Sequence, residues 1–104
     1  MSNGNDTQRE FHLGDILSIT TGKLLAPFGM DGVYDILDFM CNTNLYTHQL
    51  VRASDKCIPY IFQQHPQLAK IDMSDFTGAN WFAWLQKQIN KYGKTLVIKR
   101  ISSM

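Results

Sequence analysis

Residues 47–66 read THQLVRASDKCIPYIFQQHP, and this stretch decides how the rest of the chain is organised. Thr47 is a natural N-cap for a helix, because its hydroxyl can accept from a free amide of the first turn. Leu50, Val51, Cys57, Ile58, Ile61 and Phe62 then fall on one apolar face, leaving Arg52, Lys56 and Gln63 for water. Pro59 removes the bond to the Asp55 carbonyl, at a cost of about 3 kcal/mol in a straight helix, so a kink or a split near Asp55 is expected. His65-Pro66 ends the element in either case.

Working outward, Leu13, Ile16, Leu17 and Thr20 fall at helical spacing, and Gly22 is placed to end a helix over 13–21. Lys23 to Ala26, pressed into extended backbone by Pro27, is expected as an edge strand. Asp31 is expected to cap a helix that carries Val33, Ile36, Leu37 and Met40 on one face and Asp31, Asp35 and Asp38 on another. Trp81, Trp84, Leu85, Gln88, Ile89 and Tyr92 form the strongest helical stripe, closed by Gly93. The branched residues of Thr95 to Ile101 predict a strand, paired with Lys23 to Ala26. Residues 1–10, polar after Met1, are expected to be a disordered lead, and 11–104 a single globular domain. The predicted class is α+β: mostly helical, with four to five helices and a small two-stranded antiparallel sheet.

The chain has 104 residues, 44% hydrophobic and 18% charged, a composition that excludes wholesale disorder and suits one core. Its longest uncharged run, Phe39 to Val51, contains Asn42, Asn44, His48 and Gln49 and is no spanning helix, so no membrane partner is expected. MSNGNDTQRE lacks the basic start and apolar segment of a signal peptide, which gives cytoplasmic residence and two reduced, partly buried cysteines, Cys41 and Cys57, as the expectation. The net charge of +1 divides into −4 over residues 1–75 and +5 over 76–104. Either the two halves face each other, or Lys87, Lys91, Lys94, Lys99 and Arg100 present a basic surface.

The chemistry-bearing residues do not form a known motif. Thr20-Thr21-Gly22-Lys23 fails as a phosphate loop, because seven residues separate Gly14 from Gly22 and Leu24 stands where a magnesium-binding hydroxyl is needed. No cofactor is expected. His48 and His65, 17 residues apart, would lie about 25 Å from one another on a straight helix, so they cannot share a metal ion, and none is expected. No catalytic residue is assigned. As binding candidates, Thr47 and His48 sit where free helix amides can hold an anion, with Arg52 a turn away. Phe82 points off the stripe of its helix beside Lys87, Lys91 and Lys94, as an exposed contact site would.

Taken together, FHLGDILSITTGKL (11–24), GVYDILDFM (32–40), THQL (47–50) with Arg52, QQHPQL (63–68) and the Trp84-Leu85 to Tyr92-Gly93 segment resemble a family of short phage and prophage proteins of unassigned function. The resemblance runs from Phe11 to Ile101, and brings no catalytic residues. Val51 stands where members of that family have proline after THQL. The resemblance implies a mobile genetic element in a bacterial cytoplasm, and an accessory protein that binds a host or phage protein stoichiometrically, an inhibitor of CRISPR or another host defence being one such role. Two alternatives stay open: a small enzyme or nucleotide-binding protein with a site near Thr47 and His48, and a weak nucleic-acid binder using the basic C-terminal quarter. A homodimer is also open to it.

Overall fold

A computed structural model describes residues 7–27 and 29–101. Strand β1 (Gln8–His12) leads directly into helix α1 (Leu13–Thr21), followed by α2 (Met30–Cys41), α3 (Leu50–Gln64), α4 (Trp81–Tyr92) and strand β2 (Thr95–Lys99). Short 3-10 turns occupy Thr47–Gln49 and Pro66–Lys70. The class is α+β, with four α-helices and one two-stranded antiparallel sheet among the described residues.

The sheet joins the two ends of the described chain. Gln8 pairs with Lys99 and His12 with Thr95, and Arg100 N–H donates to the Thr7 carbonyl at 2.9 Å. The first strand is therefore Gln8–His12, and Lys23–Ala26 forms none. Leu25 is fully buried, but its amide is taken by the Ser18 hydroxyl at 2.8 Å, which in turn donates to the Gly14 carbonyl at 2.7 Å. With that donor satisfied inside α1, no sheet partner is needed. A disordered lead reaching to residue 10 is corrected as well: Gln8, Arg9 and Glu10 are exposed yet held by the ladder, and residues 1–6 lie outside the described set. Gln8 and Glu10 belong to a sheet face open to water, Arg9 shares the face of Phe11, and the anchor is Phe11, whose ring lies 5.4 Å from that of Phe39 on α2. Arg9 and Arg100 cover this aromatic pair, with guanidinium carbons 4.4 Å from the Phe11 ring and 4.2 Å from the Phe39 ring.

The core is built by α1, α2 and α3 around Leu13, Ile16, Leu17, Ile36, Leu37, Met40, Cys57 and Ile61, all fully buried. Helix α1 matches its expected span, with His12 as N-cap, its Nδ1 accepting from Gly14 N–H at 2.9 Å, and Gly22 at φ 76° closing it. Helix α2 starts one residue before Asp31, after Gly29 at φ 71°, so Asp31 lies in the first turn and does not cap. Thr47 does not cap α3 either. The Thr47–Gln49 turn is closed by Tyr46, whose carbonyl accepts from Gln49 N–H at 2.9 Å while its own amide donates to Gln49 Oε1 at 2.8 Å. Helix α3 runs unbroken through Pro59, because Pro59 and Asp55 both lie on its exposed side, where a freed carbonyl meets water. Val51 is 75% exposed and belongs to the outer face, while Ala53 takes an inner place.

The end of α3 completes the sheet. On β2, Lys99 N–H donates to Gln64 Oε1 at 2.7 Å and the Lys99 carbonyl accepts from Gln64 Nε2 at 3.3 Å. His65 Nε2 lies 2.6 Å from the Val97 carbonyl. A side-chain amide with one donor and one acceptor thus replaces a third strand on the free edge of β2. Gln64→Ala should lower unfolding free energy by about 1–2 kcal/mol, since it strands two backbone groups, and chemical denaturation reads this directly. A loss below about 0.3 kcal/mol would assign that edge to water.

Candidate functional site

The expected binding residues separate into three places. Thr47 uses its hydroxyl on Tyr34 OH at 2.7 Å, which ties the turn ahead of α3 to α2. His48 stacks on Tyr46, with ring centroids 6.0 Å apart and planes 4° from parallel, and together with Arg52 and Lys56 lines a cleft of about 450 Å³. Asp35 pairs with Arg9 and Asp38 Oδ1 accepts from Leu45 N–H at 2.9 Å, both in a different cleft. Among the described residues, no group of three or more His, Cys, Asp or Glu is placed to hold a metal ion.

Phe82 on α4 is 59% exposed and meets Trp81 edge-on, with centroids 5.6 Å apart. Lys87 and Lys91, on the next turns, line a hollow that also contains Asp72 and Asp75. The basic stripe of α4 therefore faces acids of the preceding loop, one of the two charge layouts that the sequence allowed. Lys94 lies elsewhere: its carbonyl accepts the Leu13 amide at 2.8 Å, beside His12. Phe82, Lys87, Lys91 and Lys94 thus do not make one surface with Thr47, His48 and Arg52.

A fourth hollow was not foreseen. An apolar groove of about 480 Å³ runs between the end of α1, the start of α2 and the first turns of α3. Leu24, Met30 and Val51 stand at its lip, and Ile19, Val33 and Ile58 lie deeper. These three lip residues, 55%, 44% and 75% exposed, are half of the six large hydrophobic side chains exposed among the described residues. They come from three separate elements, so no local periodicity announces the patch.

Two titratable groups flank the start of α1. Asp15 is buried against Gly32 of α2, and its Oδ1 has no hydrogen-bond partner. Burial, and then the negative charge of Asp35, holds its carboxyl above the ordinary value of 3.8. Burial, and then the Lys94 ammonium, holds His12 below 6.5, which fits an Nδ1 that must stay unprotonated to cap the helix. The two act on stability with opposite pH signs. Asp15 binds its proton more tightly in the folded state, so its contribution is complete below pH 3.8 and is lost as pH rises through the elevated folded value. His12 contributes fully above pH 6.5 and loses that contribution as pH falls below it. Asp15→Asn should therefore flatten the decline in stability as pH rises above about 4, measured by urea denaturation at a series of pH values. An unchanged slope would mean that Asp15 is solvated in the folded protein.

None of the described helices is long and apolar enough to cross a membrane. No curated protein and no solved structure matches the chain. The sequence profile of a domain of unknown function (DUF7736) matches residues 11–71, from Phe11 at the end of β1 through α1, α2 and α3 to the 3-10 turn after α3, whereas the resemblance read from sequence ran on to Ile101. Since the match takes in more than half of the 104 residues, and all of the apolar groove, the chain belongs to this DUF7736 family.

Proposed function

We propose that this domain is a non-enzymatic binding protein that seats an apolar segment of a partner protein in the groove between α1, α2 and α3. The observation that carries this reading is the convergence of Leu24, Met30 and Val51 at the lip of one groove. Such side chains standing in water fit a protein partner, because a small-molecule pocket of about 300–1,000 Å³ hides most of its apolar lining. The occupant that suits the groove is an amphipathic helix presenting aliphatic side chains at three- and four-residue spacing. The dispersal of His48, Asp35 and His65 among separate surroundings supports binding over catalysis. The presence of Asp72 and Asp75 in the hollow lined by Lys87 and Lys91 favours a protein partner over nucleic acid.

The resemblance to short phage and prophage proteins supplies the biological part of the proposal: an accessory protein acting in the bacterial cytoplasm on a host or phage protein, with a host-defence component such as a CRISPR effector as the class of target. The test is affinity capture from bacterial lysate with the wild-type domain and Val51→Glu. Val51 is 75% exposed, so the change should leave stability within about 0.5 kcal/mol. A stoichiometric protein partner whose affinity drops at least about tenfold in Val51→Glu supports the groove. A partner held equally by both forms, or recovery of nucleic acid alone at low salt, would overturn it.

A further inference from the structure

Away from the groove, the fold brings two nucleophiles into contact that lie 16 positions apart in sequence. Cys41 closes α2, Cys57 sits midway along α3, and their sulfurs are 3.8 Å apart. Both are free thiols with unlike surroundings. Cys57 is fully buried in the core, whereas Cys41 is only half-buried and lines the cleft that holds His48, Arg52 and Lys56. Among the described residues, no carboxylate lines that cleft. The thiolate is the form that attacks oxidants, and an apolar surrounding suppresses it. Burial, and then the charge of a Cys41 thiolate, pushes the Cys57 thiol up to about 12.

We propose that Cys41 and Cys57 form an oxidant-sensitive dithiol, in which Cys41 is the thiol that attacks an oxidant arriving from solvent and Cys57 resolves it into an intramolecular disulfide. With a peroxide as oxidant, the Cys41 sulfur attacks one peroxide oxygen, the O–O bond breaks, and Cys41 sulfenic acid and one water result. The Cys57 sulfur then attacks the Cys41 sulfur, the S–O bond breaks, and the departing hydroxide leaves as water with the Cys57 proton. The thiols lose two protons and two electrons, and hydrogen peroxide takes them up to become two waters. Because sulfenic acid is neutral, the first step also removes the charge that disfavours a Cys57 thiolate. The sulfurs need only close from 3.8 Å to about 2.05 Å, a shift of under about 2 Å. The product ties the end of α2 to α3 along the wall of the basic cleft.

The experiment treats the reduced full chain with hydrogen peroxide and follows its intact mass. Expected is a monomer lighter by about 2 Da, a cross-linked Cys41–Cys57 peptide on digestion, and reversal by dithiothreitol. Before oxidation, iodoacetamide should label Cys41 at least about 100-fold faster than Cys57, and equally fast once urea unfolds the chain. In Cys57→Ser, dimedone should trap the sulfenic acid on Cys41. Should that variant fail to fold, the wild-type mass and labelling rates still decide the matter. Sulfinic or sulfonic Cys41 without the lighter monomer, disulfides only between chains, or equal native labelling of the two thiols would overturn the proposal.

Discussion

Replacing Ile98 by alanine should lower the stability of the domain by about 3 kcal/mol. Ile98 is fully buried on β2, opposite Arg9 of β1, and with Phe11 of β1 it carries the sheet into the helical core. Truncation removes its burial and leaves a cavity that neighbours on two sides cannot refill, since the strand is held by β1 on one edge and by Gln64 and His65 on the other. A domain of this size is stable by about 5–15 kcal/mol in all, so the change should lower the melting temperature by roughly 12–20 °C. Val97, the next residue, is 38% exposed on the opposite face, and Val97→Ala should cost less than about 1 kcal/mol. Thermal and urea denaturation of the pair give the comparison. Similar losses at both positions would place the strand in another register.

Gly14→Ala should cost about 2 kcal/mol or more, against the intrinsic preference of helices for alanine. Helix propensity alone favours the change by about 1 kcal/mol. However, a Cβ at Gly14 runs into the Leu25 carbonyl oxygen well inside van der Waals contact, and meets Pro27 Cδ at 3.0 Å and His12 Nδ1 at 3.2 Å. The closest obstacle is backbone and cannot rotate away, so the segment that crosses α1 must move, pulling Leu25 from the core and its amide from Ser18. Overpacking of this kind costs about 1–3 kcal/mol and sometimes more, which exceeds the propensity gain. Gly78→Ala is the control, because nothing lies within 4 Å of the added carbon and its backbone does not require glycine. Equal stability of the two variants in urea would show that Leu25 does not pass over α1 at this point.

The helices were legible in the sequence because each carries its own record. The spacing of Leu13, Ile16 and Leu17 with Gly22 gave α1 its span, and the Trp84-Leu85 stripe gave α4 its buried side and left Phe82 outside. The sheet was half legible. Thr95–Lys99 is rich in branched residues, but Gln8 to Glu10 look like solvent-exposed chain until a partner 85 or more residues away supplies their hydrogen bonds. Lys23 to Ala26 misled because local backbone preference says nothing about who receives an amide, and here Ser18 does. Position Val51 was placed on the wrong face: the buried side of α3 runs through Ala53, Cys57 and Ile61, and Val51 lies about 120° around the helix from Cys57.

For the candidate sites, the sequence showed which residues could act but not their neighbours. Gln64 and His65, at the heart of the QQHP segment, are sheet-edge supports, a role visible only once β2 lies beside them. Cys41 and Cys57 were read as separate buried thiols, and the crossing of α2 and α3 makes them a pair. The groove is the furthest from sequence of all, since Leu24, Met30 and Val51 lie on a loop and two helices.

Hydroxyl-radical footprinting of the domain, free and with its captured partner, tests the groove most directly. Met30 is 44% exposed at the lip and carries a readily oxidised sulfur, whereas Phe82 and Tyr46 are exposed outside the groove. The predicted result is a loss of oxidation at Met30, together with Leu24 and Val51, and unchanged oxidation at Phe82 and Tyr46. Undiminished oxidation of Met30, with protection centred on Phe82, would contradict it.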